Sequence, residues 1–241
     1  LNLYLYFEEG IKFYKNYLKM GYSGIIGGTG LGIAMISFIY SITNTSAAIT
    51  LLCLAAMPFF TALLAFLFLK EKMSLNVWIS IFIATVGIII MAFGSSGSNS
   101  IIGFIFGMLS SIGFSVFSVT LRWRTETPKF TTVAFSGLFC FIFASIMLLS
   151  TNQVFFSTSY NGALFSLHGV LVCMGLILYS IGSKAIPAAE LTLLSLTEVI
   201  GGIFWVWLPI LGINEVPDSY TIIGGFFLFV SLVYYSLVMR W

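Results

Sequence analysis

The stretch Ile101–Lys129 reads IIGFIFGMLSSIGFSVFSVTLRWRTETPK and contains the pattern that decides the fold. Residues 101–120 carry no charge and are mostly apolar, and a run of this length crosses a bilayer as a helix. The cations Arg122, Arg124 and Lys129 follow at once, as they do where a transmembrane helix reaches the cytoplasm. Because backbone amides in hydrocarbon need partners within the chain, the run predicts a transmembrane α-helix.

The same kind of run recurs along the chain. Of its 241 residues 59% are hydrophobic and 7% are charged, whereas about 25% are charged in a soluble domain. The sequence therefore predicts an all-α membrane protein, a polytopic helical bundle with eight complete transmembrane helices. These are expected at 21–42, 46–69, 74–94, 101–121, 130–150, 162–182, 187–210 and 219–239.

The positive charges predict how these helices are oriented. If loops alternate between the two sides, all ten lysines and arginines fall in one set, which consists of loops 8–20, 70–73, 122–129 and 183–186 and the C-terminus. By the positive-inside rule this set is cytoplasmic in a plasma or inner membrane. Within loop 8–20, a short helix lying in the interface and an irregular loop with outward-reaching lysines both fit the pattern.

Composition also excludes several classes of function. A net charge of +2 is too small for a nucleic-acid surface, and one histidine and three cysteines exclude most metal sites. The chain shows no Ser/His/Asp set and no phosphate-binding glycine loop, so we expect neither an enzyme nor a cofactor.

The chain repeats itself in its two halves. Tyr40-Ser41-Ile42 recurs as Tyr179-Ser180-Ile181, and Thr50-Leu51-Leu52 recurs as Thr192-Leu193-Leu194. Helices 21–42, 46–69 and 74–94 therefore correspond to 162–182, 187–210 and 219–239. Helices 101–121 and 130–150 precede the second set, and their partners would precede the first, where residues 1–7 fit the tail of one of them.

The repeat predicts a larger architecture than the eight helices. We expect ten helices in the intact protein, as two five-helix repeats, with 1–94 an incomplete first repeat and 95–241 the second. An odd number of helices gives consecutive repeats opposite orientations, so the repeats are inverted, as in many secondary transporters. Glu71 and Glu215 occupy inter-helix turns on opposite faces and are interpreted as turn or gate groups.

Motifs in both repeats carry a family resemblance. Met57-Pro58-Phe59 leads to Phe68–Ser74, which reads FLKEKMS, while Ala185–Ala189, Thr197-Glu198-Val199, Asn214-Glu215 and Gly224-Gly225 follow in the same order later. This arrangement resembles the EamA type of the drug/metabolite transporter superfamily over essentially all of 21–239. It departs from the family pattern at Val199, where a proline is frequent, and this departure argues against a break in helix 187–210. The resemblance implies secondary transport of small metabolites, such as amino acids, by alternating access around a midplane cavity.

Glu198 is the strongest candidate for a transport residue. It lies about 16 Å into its helix, where an ionisable group is costly and is usually functional. It is expected to exchange a coupling proton or to pair with a substrate amine, whereas the structural interpretation is a protonated acid hydrogen-bonded to a neighbouring helix. Ser195 and Trp205 share its helical face and would line a pocket with it.

Other candidates lie on neighbouring helices. His168 is expected either to relay protons or only to bond a neighbour. Tyr40, Asn44 and the repeat mate Tyr179 suggest cavity walls, although buried tyrosines also simply pack. Pro58 predicts a kink or hinge. The glycines at 24, 28 and 32, and those at 103 and 107, predict close helix packing.

Two alternatives to a carrier remain open at this level. One is a non-transporting membrane scaffold or sensor with the same fold. The other is an intramembrane enzyme, which would need His168 to approach Glu198. The expected partners are a small-molecule substrate, the lipid bilayer and a coupling proton, and the oligomeric state is open.

Overall fold

The computed structural model describes residues 1–10, 12–94, 101–124, 126–151, 158–208 and 219–238, and these are almost entirely helical. The helices are α1 Asn2–Glu9, α2 Lys12–Lys19, α3 Gly21–Asn44, α4 Ala47–Leu54, α5 Met57–Leu64, α6 Leu75–Gly94, α7 Ile101–Trp123, α8 Lys129–Thr151, α9 Ser159–Gly182, α10 Ala188–Leu194, α11 Leu196–Trp207 and α12 Ser219–Val238. A π-helical turn, Ala65–Leu69, extends α5. No strand occurs in these ranges.

The predicted helical bundle is confirmed. Six spans in the described chain are long and apolar enough to cross a membrane, and two shorter apolar stretches, Leu75–Ile90 and Ile222–Val238, lie in α6 and α12. Together they match the eight expected helices, with ends within about three residues. The segment 12–19 is helical and not an irregular loop, and its place at the membrane interface stays a prediction.

Corresponding helices from the two halves of the chain run antiparallel where they meet. Ser231 Oγ donates to the Ser80 carbonyl at 2.7 Å, and a Cβ added to Gly87 would lie 2.7 Å from the Gly224 carbonyl. Ser80 thus lies beside Ser231, and Gly87, seven residues later in α6, lies beside Gly224, seven residues earlier in α12. α4 likewise packs against α11, and α5 against α10. This opposite direction is what an inverted repeat requires.

Two of the expected continuous helices are interrupted near their middles. The first breaks between α4 and α5 at Ala55 and Ala56, just before Pro58, whose missing N–H cannot bond to the preceding turn. The second breaks between α10 and α11 at Ser195, although no proline is present there. The expectation that helix 187–210 is unbroken, because Val199 stands where a proline is frequent, is therefore wrong.

Hydroxyls on α7 stabilise the first break. Ser111 Oγ donates to the Cys53 carbonyl, and Ser115 Oγ donates to the Met57 carbonyl at 3.1 Å. Both bonds are buried, and they tie a carbonyl on each side of the break to the neighbouring helix. α7 is thus the support on which both halves of the broken span rest.

Close contacts between helices confirm the predicted packing role of the glycines other than Gly24, whose added Cβ would meet only Met20 at the start of its own helix. A Cβ on Gly28 would lie 2.5 Å from the Phe135 ring, and one on Gly32 would lie 2.5 Å from the Phe139 ring, both on α8. A Cβ on Gly107 would lie 2.8 Å from the side chain of Cys53 on α4. Small residues here let the helices approach closely, which is how helices gain dispersion contacts in a membrane.

α9 is the least enclosed of the described long helices. Only 11% of its most apolar stretch is buried, against 44% for α3, its counterpart in the predicted repeat. α3 has both α7 and α8 along its length, whereas α9 has its main contact with α8. The candidate residues on α9 therefore lie on a largely open helix.

Candidate functional site

The candidate site forms around Tyr179 and Glu198, near the second helix break. Tyr179 Oη lies 2.6 Å from Ser118 Oγ of α7, and its ring contacts those of Phe114 and Phe117 with centroids 5.1 and 6.1 Å apart. Glu198 of α11 is within electrostatic reach of this hydroxyl. The two residues, from different helices, thus share one environment.

The first turn of α11 positions Glu198. α10 ends at Leu194, a turn follows at Ser195, and α11 begins at Leu196. Ser195 Oγ donates to the Thr192 carbonyl at 2.7 Å, and the Glu198 amide donates to the Ser195 carbonyl at 2.9 Å. Ser195 therefore shapes the turn through short-range bonds within its own chain segment.

Opposite faces of α11 have opposite environments. Leu196, Val199 and Ile203 are almost completely buried in a cluster that includes Leu51 and Leu228. Glu198 lies on the other face and is exposed, as is Trp205, of which 56% is exposed. The carboxylate forms no hydrogen bond or ion pair with the described part of the chain. It is therefore open to solvent, lipid or a ligand.

Tyr40 and Asn44 lie elsewhere in the bundle. The Tyr40 ring stacks on Phe106 of α7 with centroids 5.2 Å apart, and Asn44 Nδ2 donates to the Tyr40 carbonyl at 2.7 Å. Tyr179 contacts α7 at Phe114 and Phe117, eight or more positions further along, which corresponds to about 12 Å. The two tyrosines thus lie at different levels of the bundle and do not form one wall.

His168 is on the open part of α9. Its side chain is exposed, and within the described ranges it forms no hydrogen bond or ion pair. It lies 11 positions before Tyr179, a separation of about 16 Å along the helix axis. The structure therefore does not bring His168 together with the Tyr179 ring.

Sequence reasoning missed a second carboxylate. Glu190 Oε2 accepts a hydrogen bond of 2.6 Å from the Tyr235 hydroxyl, which joins α10 to α12. A membrane acid that is hydrogen-bonded to a neighbouring helix was the structural interpretation of Glu198, and Glu190 is the residue that forms such a bond. Its position in the first turn after Pro187, in an otherwise apolar segment, was the available signal.

Glu71 also has a defined partner. Arg122 Nε lies 2.7 Å from Glu71 Oε1, and both side chains are about one-quarter exposed. The pair links the turn after α5 to the end of α7, so Glu71 holds a turn as expected. Glu215 lies outside the described residues. Within the described ranges, no three metal-ligating side chains lie close enough together to hold an ion.

Comparison with known proteins relates the chain to transporters. Residues 1–93 match the EamA-like transporter family. An uncharacterized transporter of Helicobacter pylori is 32% identical over 124 residues, a stretch that is 51% of this chain and 40% of that protein. The pseudopaline exporter CntI of Pseudomonas aeruginosa is 24% identical over 213 residues, which cover 87% of this chain and 72% of the exporter.

A solved crystal structure shares the fold. It superposes with a TM-score of 0.73 over 99% of this chain and 83% of that one, at 15% sequence identity. The long apolar helices are those of an integral membrane protein, and the relatives given above are named as transporters. The chain is therefore similar to EamA-like transporters over residues 1–93, and over most of its length it is similar to a protein named as an exporter.

Proposed function

We propose that the protein is a secondary active transporter of small metabolites, such as amino acids or related compounds, across the plasma or inner membrane. The observation that carries this proposal is the exposed carboxylate of Glu198, which follows a helix break and has no hydrogen-bond partner in the described chain. A charged group at this depth is costly unless it faces water, a proton or a ligand.

The arrangement of the broken helices supports a binding role for this region. Interrupted helices at membrane depth occur where backbone and side chains line a cavity, and transporters of inverted-repeat design bind substrates there. The exposed Trp205 side chain follows Glu198 by two turns of α11, and the Tyr179 hydroxyl, bonded to Ser118, lies within electrostatic reach of the Glu198 carboxylate. This combination fits a small molecule that carries an amine.

Alternating access is proposed to proceed by rocking of the two predicted repeats, 1–94 and 95–241. The α4–α5 break before Pro58 and the α10–α11 break at Ser195 are the places where the main-chain ladder is already open, so bending there costs least. Pro58 is the proposed hinge. The naming of one relative as an exporter makes outward transport the direction to test first.

Transport by the purified protein in proteoliposomes tests the proposal. We would measure counterflow of a mixed panel of amino acids, nucleosides and amines at several pH values, for wild type, Glu198→Gln and Glu190→Gln. Because Glu190 already has the Tyr235 hydroxyl as partner, it is the matched control for loss of one membrane carboxylate. We expect Glu198→Gln to abolish uptake or its pH dependence, and Glu190→Gln to retain both.

Other outcomes would count against the proposal in distinct ways. Uptake that is unchanged in Glu198→Gln keeps the carrier but removes Glu198 from its mechanism. If correctly folded wild type moves no member of the panel in either direction, the non-transporting scaffold or sensor becomes the better interpretation. Monodisperse elution of each variant in detergent serves as the folding check.

A further inference from the structure

A basic pocket lies at the end of the bundle that is predicted to be cytoplasmic. Its volume is about 290 Å³, and it is lined by Leu121, Arg122, Lys129, Ser183 and Lys184. Three of these five side chains are cationic and none is acidic. The pocket lies among the end of α7, the start of α8 and the turn after α9, so it is formed by segments that are distant in sequence.

The charge of Arg122 is already balanced. Its Nε bonds to Glu71, and its Nη1 donates to the Ser183 and Ile186 carbonyls at 3.3 and 3.0 Å. These bonds fix the guanidinium and the turn after α9 in place. The wall of the pocket is therefore rigid before any ligand arrives, which lowers the entropy cost of binding.

Among the described side chains, none supplies a counter-charge to the two lysines of the pocket. Lys129 is half-buried, and its Nζ bonds only to a neutral group, Ser183 Oγ, at 2.8 Å. Lys184 and Arg122 both lie within electrostatic reach of this ammonium. Within the described ranges, Arg122 and Glu71 form the one ion pair near the pocket. Glu126, in the neighbouring loop, is exposed and bonds to neither lysine.

A half-buried ammonium beside two other cations is unfavourable unless an anion joins it. The spare donors of Lys129 and Lys184 can bond several oxygens of one multiply charged group, as a phosphate offers. The pocket lies where helices end and loops begin, at the level expected for lipid headgroups. We propose that this pocket binds a phosphate group, supplied either by an anionic phospholipid headgroup or by a free phosphate compound.

This site is separate from the transport region around Glu198, and the inference does not depend on transport. The test uses native mass spectrometry of the full chain to count bound phosphatidylglycerol and phosphatidylcholine, together with calorimetric titration of inorganic phosphate. The variant Lys129→Gln/Lys184→Gln removes both unbalanced charges. The control is Lys12→Gln/Lys15→Gln, which removes two exposed lysines of α2. These lysines lie on the same predicted cytoplasmic side as the pocket, and their loss lowers the net charge by the same amount.

We expect wild type and control to retain phosphatidylglycerol in preference to phosphatidylcholine, and the pocket variant to bind it at least about tenfold more weakly, since charge-assisted bonds are lost. Binding of inorganic phosphate without lipid preference identifies a soluble phosphate as the source and also supports the site. Equal loss in both double variants would show general surface attraction and overturn the proposal. It is also overturned if wild type prefers no anionic lipid and binds no phosphate. Unchanged elution and melting of the lipid-free pocket variant exclude misfolding as the cause.

Discussion

Replacing Gly113 by alanine tests whether the contact between α3 and α7 is as tight as the structure indicates. A Cβ on Gly113 would lie 2.6 Å from the Gly30 carbonyl oxygen and 3.0 Å from the Ala34 amide nitrogen. Both are backbone atoms, so neither can move aside as a flexible side chain would. The two helices would have to separate by roughly 0.8 Å to restore ordinary contact at about 3.4 Å.

The magnitude follows from two opposing effects. Overpacking of a closely packed interface costs about 1–3 kcal/mol, while alanine gains about 1 kcal/mol over glycine in helix propensity. The Ser110 hydroxyl bonds the Ala34 carbonyl at 2.8 Å across the same contact, so separation also weakens this bond. We expect a net loss of about 1 kcal/mol or more, which corresponds to a melting temperature lower by about 2–4 °C.

A second glycine serves as a matched control for the direction of the change in melting temperature. Gly137 on α8 has no atom within 4 Å of an added Cβ, so Gly137→Ala should gain helix propensity without a clash. Thermal unfolding in detergent, followed by tryptophan fluorescence, should therefore move down for Gly113→Ala and stay or move up for Gly137→Ala. If Gly113→Ala melts at or above the wild-type temperature, the close backbone contact is not present and the reasoning fails.

Three further outcomes are expected. Tyr235→Phe and Glu190→Gln should each destabilise the protein, because each removes the same 2.6 Å hydrogen bond. A double-mutant cycle should therefore give a coupling energy of about 1–2 kcal/mol between the two residues. Additive losses of stability would contradict this. Lys70 has a left-handed backbone with φ of 53°, so Lys70→Gly should stabilise the protein by about 1 kcal/mol in thermal melts, and a loss of stability would refute the strain. In a cysteine-free background, a cysteine at exposed Lys72 should react with an impermeant maleimide only from the cytoplasmic side, and one at exposed Ser159 only from outside. Labelling of both from the same side would reject the predicted orientation.

The helices were predictable because hydrocarbon imposes one solution on the backbone. A run such as 101–120 must be helical, and its ends are marked by charge, so composition and length suffice to locate it. The break before Pro58 was also visible, since proline removes a donor. The break at Ser195 was not, because it depends on a local hydroxyl bond and on packing between α10, α11 and their neighbours, which no single residue type announces.

The site was predictable in its residue types but not in its groupings. The depth of Glu198 in an apolar helix pointed to it, and whether it transports remains a prediction. Which carboxylate has a structural partner could not be deduced, because the Glu190–Tyr235 bond joins residues 45 positions apart. The basic pocket likewise depends on loops that meet only after folding, so its lysines were interpreted only as markers of orientation.

Synthesis of this chain must proceed for a long time without its own packing partners. α3 lies mainly along α7 and α8, α6 lies along α12, and the α4–α5 segment lies against α7, α10 and α11. When α3 to α6 leave the ribosome, their partners α7 to α12 have not been made, and contacts among α3 to α6 are few. Each early helix must therefore persist in lipid by its own backbone bonds, with Ser80 and other hydroxyls that are later buried still facing acyl chains. A nascent chain stalled before residue 101 would present these surfaces to chaperones and proteases of the membrane. The chain is therefore exposed to misfolding and degradation in the interval before α7 inserts.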